Sequence, residues 1–575
     1  FGESSSFSGG KQDKKQGLCQ GNGAAPPTWQ QISTIMIRAQ HRLGHGVVVE
    51  APISKRQVKQ VGVFYVDDNN MWAGLAPDDD ATSTLHKGQE SVNRWGLSLI
   101  STGGDFHPIK CGYTIADQTP DGKGGWVYTD QVPPSYEEEL DDLDALPEEQ
   151  FTVPQARANA AAIKRLKSSE AVEMLGLYAR PDGKCDRHML QMKERIEDWT
   201  KKIKNGALPT RSAWMSYTHQ LWAGLRYGLG ASSAPLNKLR DGLGSSDYYL
   251  ISSLGVVRSI TKEWRYLPAA FCGMGLFDLT TKTTIATLNS FLQHCGTSSS
   301  LGITLLASME HLQMELGVQE CPFNYDYDTW QHLATDSWVK ALWEKIDNMG
   351  IDLELEYESL VPPRENDRSI MQTMVDLGYK DRELQAINRV RKYLEAFFIS
   401  DLVNATGNQI ESQYYDDWHD SEEGHLGKHR SRLTFGKEFP TNDDWKVWRK
   451  ALGHLTIGGS SRLLQPLRGW VGESTRVWRY FYDADEARLE CHLDDKVEIY
   501  ERLATEAGVG RPFRLVAQVD PRPPRGCPAN VNVLDDGSLC FRGTGPRYTQ
   551  IGSNLPQPHF SSSSNSGEEA GCGAA

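Results

Sequence analysis

The sequence predicts an α+β protein, with an antiparallel sheet and packed helices over residues 1–130 and a mainly helical chain after that. Three observations carry this reading. Helical periodicity in 26–43 and 82–100 alternates with short β-branched runs that end in Gly, Asn and Asp turns. Beyond residue 186, apolar residues at heptad spacing take over. The 575 residues are 39% hydrophobic and 24% charged, enough for cores in three or four domains, which excludes a wholly disordered, collagen-like or small disulfide-stapled chain.

Taken in order, the Gly, Ser and Lys of residues 1–17 predict a loop. Pro26 and Pro27 suit a first helical turn, and Trp29, Ile32, Met36, Ala39 and Leu43 recur at helical spacing before Gly44. Residues 47–53 and 58–66 read as strands joined through Ser54, Lys55 and Arg56. The second ends at Asp67, Asp68, Asn69 and Asn70 and resumes over 71–75, so two acids stand at a hairpin tip. Leu85, Val92 and Leu99 mark a helix closed by Gly103 and Gly104. Residues 106–115 and 126–128, around a Gly-rich turn at 121–125, predict another hairpin.

Eight acids between Glu137 and Glu149, with Pro133, Pro134 and Pro147, make 131–160 a solvated linker. In 161–230, Met189, Met192, Ile196, Trp199 and Ile203 form one helix face, and Trp214, Leu221 and Leu225 form another behind a cap at Thr210. Residues 231–510 are a helical region of unassigned role, with clear periodicity at 330–350 and through Leu384, Ile387, Leu394 and Phe398. A β-rich segment with an Asp535-Asp536-Gly537-Ser538 turn fills 511–550, and the Ser-rich residues 551–575 predict a disordered tail.

The net charge of −14 speaks against a protein that grips nucleic acid over its whole surface. Locally the balance reverses. From Lys184 to Arg211 there are eight bases against four acids. No run approaches the roughly 18 apolar residues of a bilayer span, so no membrane partner is expected. The ten cysteines lack paired CxxC spacing and read as reduced thiols of an intracellular protein. Phe1 in place of methionine predicts a processed chain or a piece of a longer one.

Three elements carry chemistry. Gln20-Gly21-Asn22-Gly23-Ala24-Ala25-Pro26 is a Gly-rich turn that leads into a helix and offers free N–H groups; by itself it is equally an ordinary loop. In Phe64-Tyr65-Val66-Asp67-Asp68, adjacent carboxylates at a strand end repel unless a cation lies beside them, although acids in turns also serve solubility. Lys110, on the strand expected over 106–115, could neutralise a reacting phosphate or donate a proton, or could simply be a surface lysine. Their order joins them: 47 residues separate Gln20 from Asp67, and 43 separate Asp67 from Lys110.

With these residues in place, QGNGAAP, FYVDD, STGGDFHPIKC and VEMLGLYARPDG together resemble the palm motifs of reverse transcriptases. The resemblance is to cellular retrotransposon-like elements such as those of diatoms and related algae, and it covers residues 1–230. It implies a partial polymerase palm over 1–130, a primer-grip strand with a helical thumb over 161–230, and an RNA-directed DNA polymerase activity. The substrates would be an RNA or DNA template with primer and deoxynucleoside triphosphates. By resemblance Gln20, Gly21, Pro26 and Tyr65 support the template and nascent base pair, with Ala25 where the family has serine. Leu175 and Gly176 grip the primer. Asp67 and Asp68 hold Mg²⁺ or Mn²⁺, in a two-ion site about 3.5 to 4 Å across. Lys110 serves the departing pyrophosphate. The family's third carboxylate lies on a strand some tens of residues before the first motif, whereas nineteen residues precede Gln20, so the resemblance implies the C-terminal part of an element that does not polymerise by itself. The alternative is a non-catalytic nucleic-acid-binding or assembly relic.

Two further clusters are set aside. His419, His425 and His429 sit among glycines without a cysteine partner, and Trp445, Trp448, Trp470 and Trp478 predict a packed core more than a stacking platform.

Overall fold

The computed structural model describes residues 25–42, 45–65, 68–74, 81–114, 117–120, 126–129, 151–156, 159–174, 176–206, 208–240, 244–357, 359–404, 407–415, 439–469 and 471, with five strands between 480 and 542. These residues form an α+β chain with small antiparallel sheets. The chain divides into two units, residues 1–313 with 322–356, and residues 314–321 with 357–575.

The first unit begins with α1 (Ala25–Arg42), where the prolines predicted it. Its Met36 and Gln40 are buried, and Gln40 Nε2 donates to the Ser91 carbonyl at 3.0 Å. Next come β1 (Val47–Glu50) and β2 (Gln57–Gln60), a hairpin whose connecting turn binds the buried Glu310. The Ile53 and Ser54 amides donate to Glu310 Oε2 at 2.7 and 2.9 Å. Strands β3 (Gly62–Tyr65) and β4 (Asp68–Met71) pair with Tyr65 opposite Asp68. The acidic turn is therefore tighter than predicted: Asn69 and Asn70 lie in the ladder opposite Phe64 and Val63, and only Val66 and Asp67 connect the strands. Gly62 is required here, since a Cβ would stand 2.3 Å from the Asn70 carbonyl oxygen.

Helix α2 (Ala81–Ser101) matches its prediction and ends as the Gly103 and Gly104 amides bond the Ile100 and Leu99 carbonyls. The predicted hairpin at 106–128 is different. Pro108 cannot donate to a ladder and suits a helical first turn, so Pro108–Lys110 is a 3₁₀ turn rather than strand. Short strands follow: β5 (Gly112–Tyr113), β6 (Asp117–Pro120), β7 (Trp126–Thr129), β8 (Thr152–Val153), β9 (Ala161–Ala162) and β10 (Lys164–Arg165). The true hairpin is β6 with β7; β8 pairs with β9, and β5 pairs with β10 in parallel. Instead of one continuous sheet, the strands of this unit pair in twos. The last pair, β11 (Val172–Met174) and β12 (Leu177–Ala179), is a second two-residue hairpin.

Helices then take over. On α3 (Asp186–Gly206) the buried residues include Met192, Ile196, Trp199 and Ile203, as the heptad spacing predicted. Thr210 opens α4 (Thr210–Ser216) as its first residue and not its cap, with Pro209 before it. A π turn over Tyr217–Leu221 joins α4 to α5 (Trp222–Leu225), and its extra residue turns Tyr217, Leu221, Trp222 and Leu225 all inward. Tyr217 sits among Trp199, Trp214, Trp222 and Phe277, and its hydroxyl accepts the Phe277 amide at 3.0 Å. The unit continues through α6 (Leu236–Arg240), α7 (Gly244–Ser253), α8 (Lys262–Tyr266), α9 (Leu279–His294), α10 (Ser300–Leu316), α11 (Tyr327–Trp330) and α12 (Trp338–Asn348). Residues 314–316 at the end of α10 belong to the second unit.

That unit packs α13 (Ile370–Asp376), α14 (Asp381–Tyr393) and α15 (Asn442–Leu455). Its centre is the buried Arg391, whose Nη2 donates to the Met314 and Glu315 carbonyls at 2.6 and 3.0 Å while Nε donates to Asn388 Oδ1 at 2.8 Å. Burial draws this guanidinium down to about 9. Leu384, Ile387, Leu394 and Phe398 are buried, but the helix expected to run through them ends at Tyr393, and Phe398 lies in a bridge with Ser369; Trp445 and Trp448 are buried too, the latter bonding the Tyr414 carbonyl at 2.7 Å. Strands β13 (Tyr480–Asp483), β14 (Arg488–Cys491), β15 (Pro512–Ala517), β16 (Asn532–Val533) and β17 (Leu539–Arg542) form one sheet, and the residues 535–538 expected as a turn lie outside the described residues. The acidic run at 137–149, the three histidines at 419–429, Trp470, Trp478 and the tail at 551–575 lie outside the described residues.

The buried Asp247 of α7 accepts the Tyr266 hydroxyl at 2.7 Å, and burial pushes its carboxyl up to about 6 from an ordinary 3.8. The folded state thus holds its proton where the unfolded chain has lost it, so stability falls as pH rises from about 4 to 6, by about 3 kcal/mol. Asp247→Asn keeps an acceptor for Tyr266 and removes the charge. Its melting temperature is expected to exceed that of the parent at pH 8 and to match it near pH 4; equal differences at both pH values would contradict the assignment.

Candidate functional site

The acidic hairpin is held by an aromatic contact. The Phe64 ring stacks on Trp95 of α2 with centroids 4.8 Å apart, and Trp95 is 1% exposed. Because side chains alternate along β3, this contact sets which face of the hairpin meets the helix. Tyr65 and Asp68 are then the last paired positions. Val66 and Asp67 themselves lie outside the described residues, as do Gln20, Gly21 and Leu175. Pro26 is the second residue of α1, a helix that is bonded to α2 through Gln40 and Ser91.

Lys110 ends the 3₁₀ turn two residues before β5. It is exposed, beside an Ile109 that is 92% exposed, and makes no ion pair with a described residue. Gly176 occupies the β11–β12 turn at φ 79°, which only glycine adopts without strain. The motif expected as a single primer-grip strand is therefore a hairpin, and β12 leads toward α3, where the Arg187 guanidinium lies 4.7 Å from the Tyr178 ring centroid.

On α3 and its flanks the four acids are all engaged. Asp186 meets Lys238 at 2.6 Å, Asp198 meets Lys202 at 2.6 Å, Glu194 meets Arg187 at 3.4 Å and Glu197 meets Lys193 at 4.0 Å. Lys184, Lys201, Lys204 and Arg211 are exposed and form no ion pair with a described residue. Four exposed bases thus remain without a carboxylate partner among the described residues. Among the described residues no group of three or more His, Cys, Asp or Glu is arranged to hold a metal ion.

Two features were not read from the sequence. Trp95 is three residues after Val92 and four before Leu99, so its place on the apolar face of α2 was available as a signal. Glu310, inside the apolar run of α10, marked a buried acid that needs donors.

Replacing Trp95 with alanine is expected to cost about 3 to 5 kcal/mol through the cavity and the lost stack, and Phe64→Leu about 1 kcal/mol. Urea unfolding measures the first effect. Faster amide exchange confined to residues 62–71 is the expected mark of the second, and unchanged exchange there would show that the ring contact does not hold the hairpin.

In comparisons with known proteins, no family model, no curated protein and no solved structure matches this chain.

Proposed function

We propose that this chain carries the palm hairpin and thumb of a template-directed nucleotidyl transferase of the reverse-transcriptase type. The observation that supports it best is the pairing of Tyr65 with Asp68, with Asp67 between them in the sequence, in a hairpin that packs through Phe64 on the helix before Lys110. Adjacent carboxylates in such a hairpin suit a hard divalent cation. Asp67 and Asp68 would hold Mg²⁺ or Mn²⁺, which when bound supplies charge stabilisation at the attacking and leaving oxygens of phosphoryl transfer.

The remaining roles belong to side chains and backbone. Asp67 places its charge beside the 3′-hydroxyl of the primer, and Asp68 orients it. Lys110, on an exposed turn, meets the pyrophosphate as it leaves and neutralises or protonates it. Gln20, Gly21, Pro26 and Tyr65 form the surface beneath the nascent base pair. The Leu175–Gly176 hairpin holds the primer end, and the bases of α3 take backbone phosphates.

The second reading, a binding or assembly relic without catalysis, is favoured by those exposed bases, because phosphate contact needs no reaction centre. Primer extension separates the two. The assay uses the chain joined to a reverse-transcriptase fingers segment that brings the third carboxylate. Asp67→Asn is expected to lower the rate by about 10³-fold or more, and Lys110→Ala by about 10²-fold. Undiminished extension by Asp67→Asn would overturn the reading, and absence of extension with binding retained would leave the relic. Binding itself should weaken with salt with a logarithmic slope of about −3 to −4, one increment for each unneutralised base.

A further inference from the structure

Another surface lies outside the motif series, where the end of α3 meets α7. The Lys204 ammonium is 5.5 Å from the centroid of the Tyr249 ring, and the Arg258 guanidinium is 5.7 Å from the same centroid and 4.5 Å from that of Tyr248. Two cations thus converge on one ring. Ring faces offset part of their repulsion, and no carboxylate among the described residues pairs with either. Arg258 is fixed in place: Nε donates to Ser252 Oγ, and its carbonyl accepts Arg265 Nη2 at 3.0 Å.

The Thr210 hydroxyl donates to the Ser253 carbonyl at 3.4 Å, which brings the start of α4, and with it Arg211, to this end of α7. The two segments that meet here, 201–211 and 248–272, hold seven bases and one acid, Glu263, in a chain with a net charge of −14. Tyr248, Trp264 and Phe271 are 43%, 47% and 69% exposed. Backbone bonds hold the loop that bears the last two, from Met274 to the Trp264 carbonyl and from Leu276 to the Arg265 carbonyl, both at 2.9 Å.

We propose that this surface binds single-stranded nucleic acid, with phosphates at Lys204 and Arg258 and unpaired bases stacked on Trp264 and on the flat Arg258–Tyr248 pair. The charges are complementary to a polyanion, and exposed ring faces are reached only by bases free of a duplex. An anionic membrane would use the same charges and the exposed Val257 and Phe271; the seating of Arg258 and Lys204 on the Tyr248 and Tyr249 rings favours bases, and the vesicle arm of the test separates the two. The proposal extends the nucleic-acid reading of the chain. It shares Lys204 and Arg211 with the bases assigned above to backbone phosphates and rests on that reading for the polyanion, but it uses no residue of the acidic hairpin, and the comparison of base-bearing with abasic oligomer tests it apart from primer extension.

The test is fluorescence anisotropy of the full chain with labelled oligothymidylate, an abasic oligomer of equal length, and phosphatidylserine vesicles as competitor. Lys204→Glu with Arg258→Glu is expected to weaken both oligomers by about tenfold or more. Tyr248→Ala with Trp264→Ala should weaken oligothymidylate by about tenfold and leave the abasic oligomer unchanged, whereas Trp264→Phe should retain binding. Far-UV circular dichroism establishes folding, and if the charge reversals unfold the chain, Lys204→Gln with Arg258→Gln should reduce the salt slope by about 1.4. Unchanged affinity in the folded charge variants, equal loss on the abasic oligomer, or binding to vesicles without binding to oligothymidylate would each overturn the proposal.

Discussion

The stack of Phe64 on Trp95 is the contact on which the N-terminal part of the first unit depends, because it makes α2 the common support of everything around it. Gln40 of α1 bonds the Ser91 carbonyl on one side of this helix, and Gln89 exchanges two hydrogen bonds with the Thr152 backbone on another. Gly88 and Gly96 let Phe151 and Pro154 approach where any Cβ would collide. Glu90 joins His45 at 2.9 Å and also pairs with Arg94. Strands that pair only in twos cannot stabilise one another as a wide sheet would, so they must be fastened to a helix individually. For the acidic hairpin that fastening includes the Phe64 ring on Trp95.

Charge is handled differently inside and outside. Buried ionic groups are satisfied by backbone: Glu310 by two turn amides, and Arg391 by carbonyls at the end of α10. Such bonds offset part of the desolvation, and at Arg391 the buried Glu315 and Asp401 add opposite charge. Outside, the acids of α3 are consumed by neighbouring bases, and the surplus of lysine and arginine gathers on α3 and at the end of α7. A chain of net charge −14 can in this way present a surface suited to phosphate.

Local signals made much of this legible. Prolines and apolar spacing placed α1; heptad spacing placed α3 and identified its buried face; glycines closed α2. The hairpin at Asp67 was visible too, but its turn was read too long, since Asn69 and Asn70 are turn residues by type and ladder residues by pairing. What failed was non-local or masked by composition. The parallel pairing of β5 with β10 spans some fifty residues that no local pattern encodes. Pro108 turned a predicted strand into a 3₁₀ turn, and a π turn has the same composition as the helix it interrupts. Of the candidate site, Pro26 lies in α1, Tyr65 and Asp68 pair across β3 and β4, Lys110 ends a 3₁₀ turn and Gly176 lies between β11 and β12. Which of them meet around a substrate depends on packing across the strand pairs, and that is the part spacing does not contain.

The central claim is that the Asp67–Asp68 pair is a divalent-cation centre for nucleotidyl transfer. Iron-directed cleavage tests it most directly: Fe²⁺ takes the place of Mg²⁺ in the presence of primer–template and a deoxynucleoside triphosphate, and ascorbate with peroxide cuts the backbone beside the bound ion. The account predicts cuts within a few residues of Asp67, suppressed by excess Mg²⁺ and absent in Asp67→Asn. Cuts elsewhere alone, or cuts at the hairpin that persist in Asp67→Asn, would contradict it.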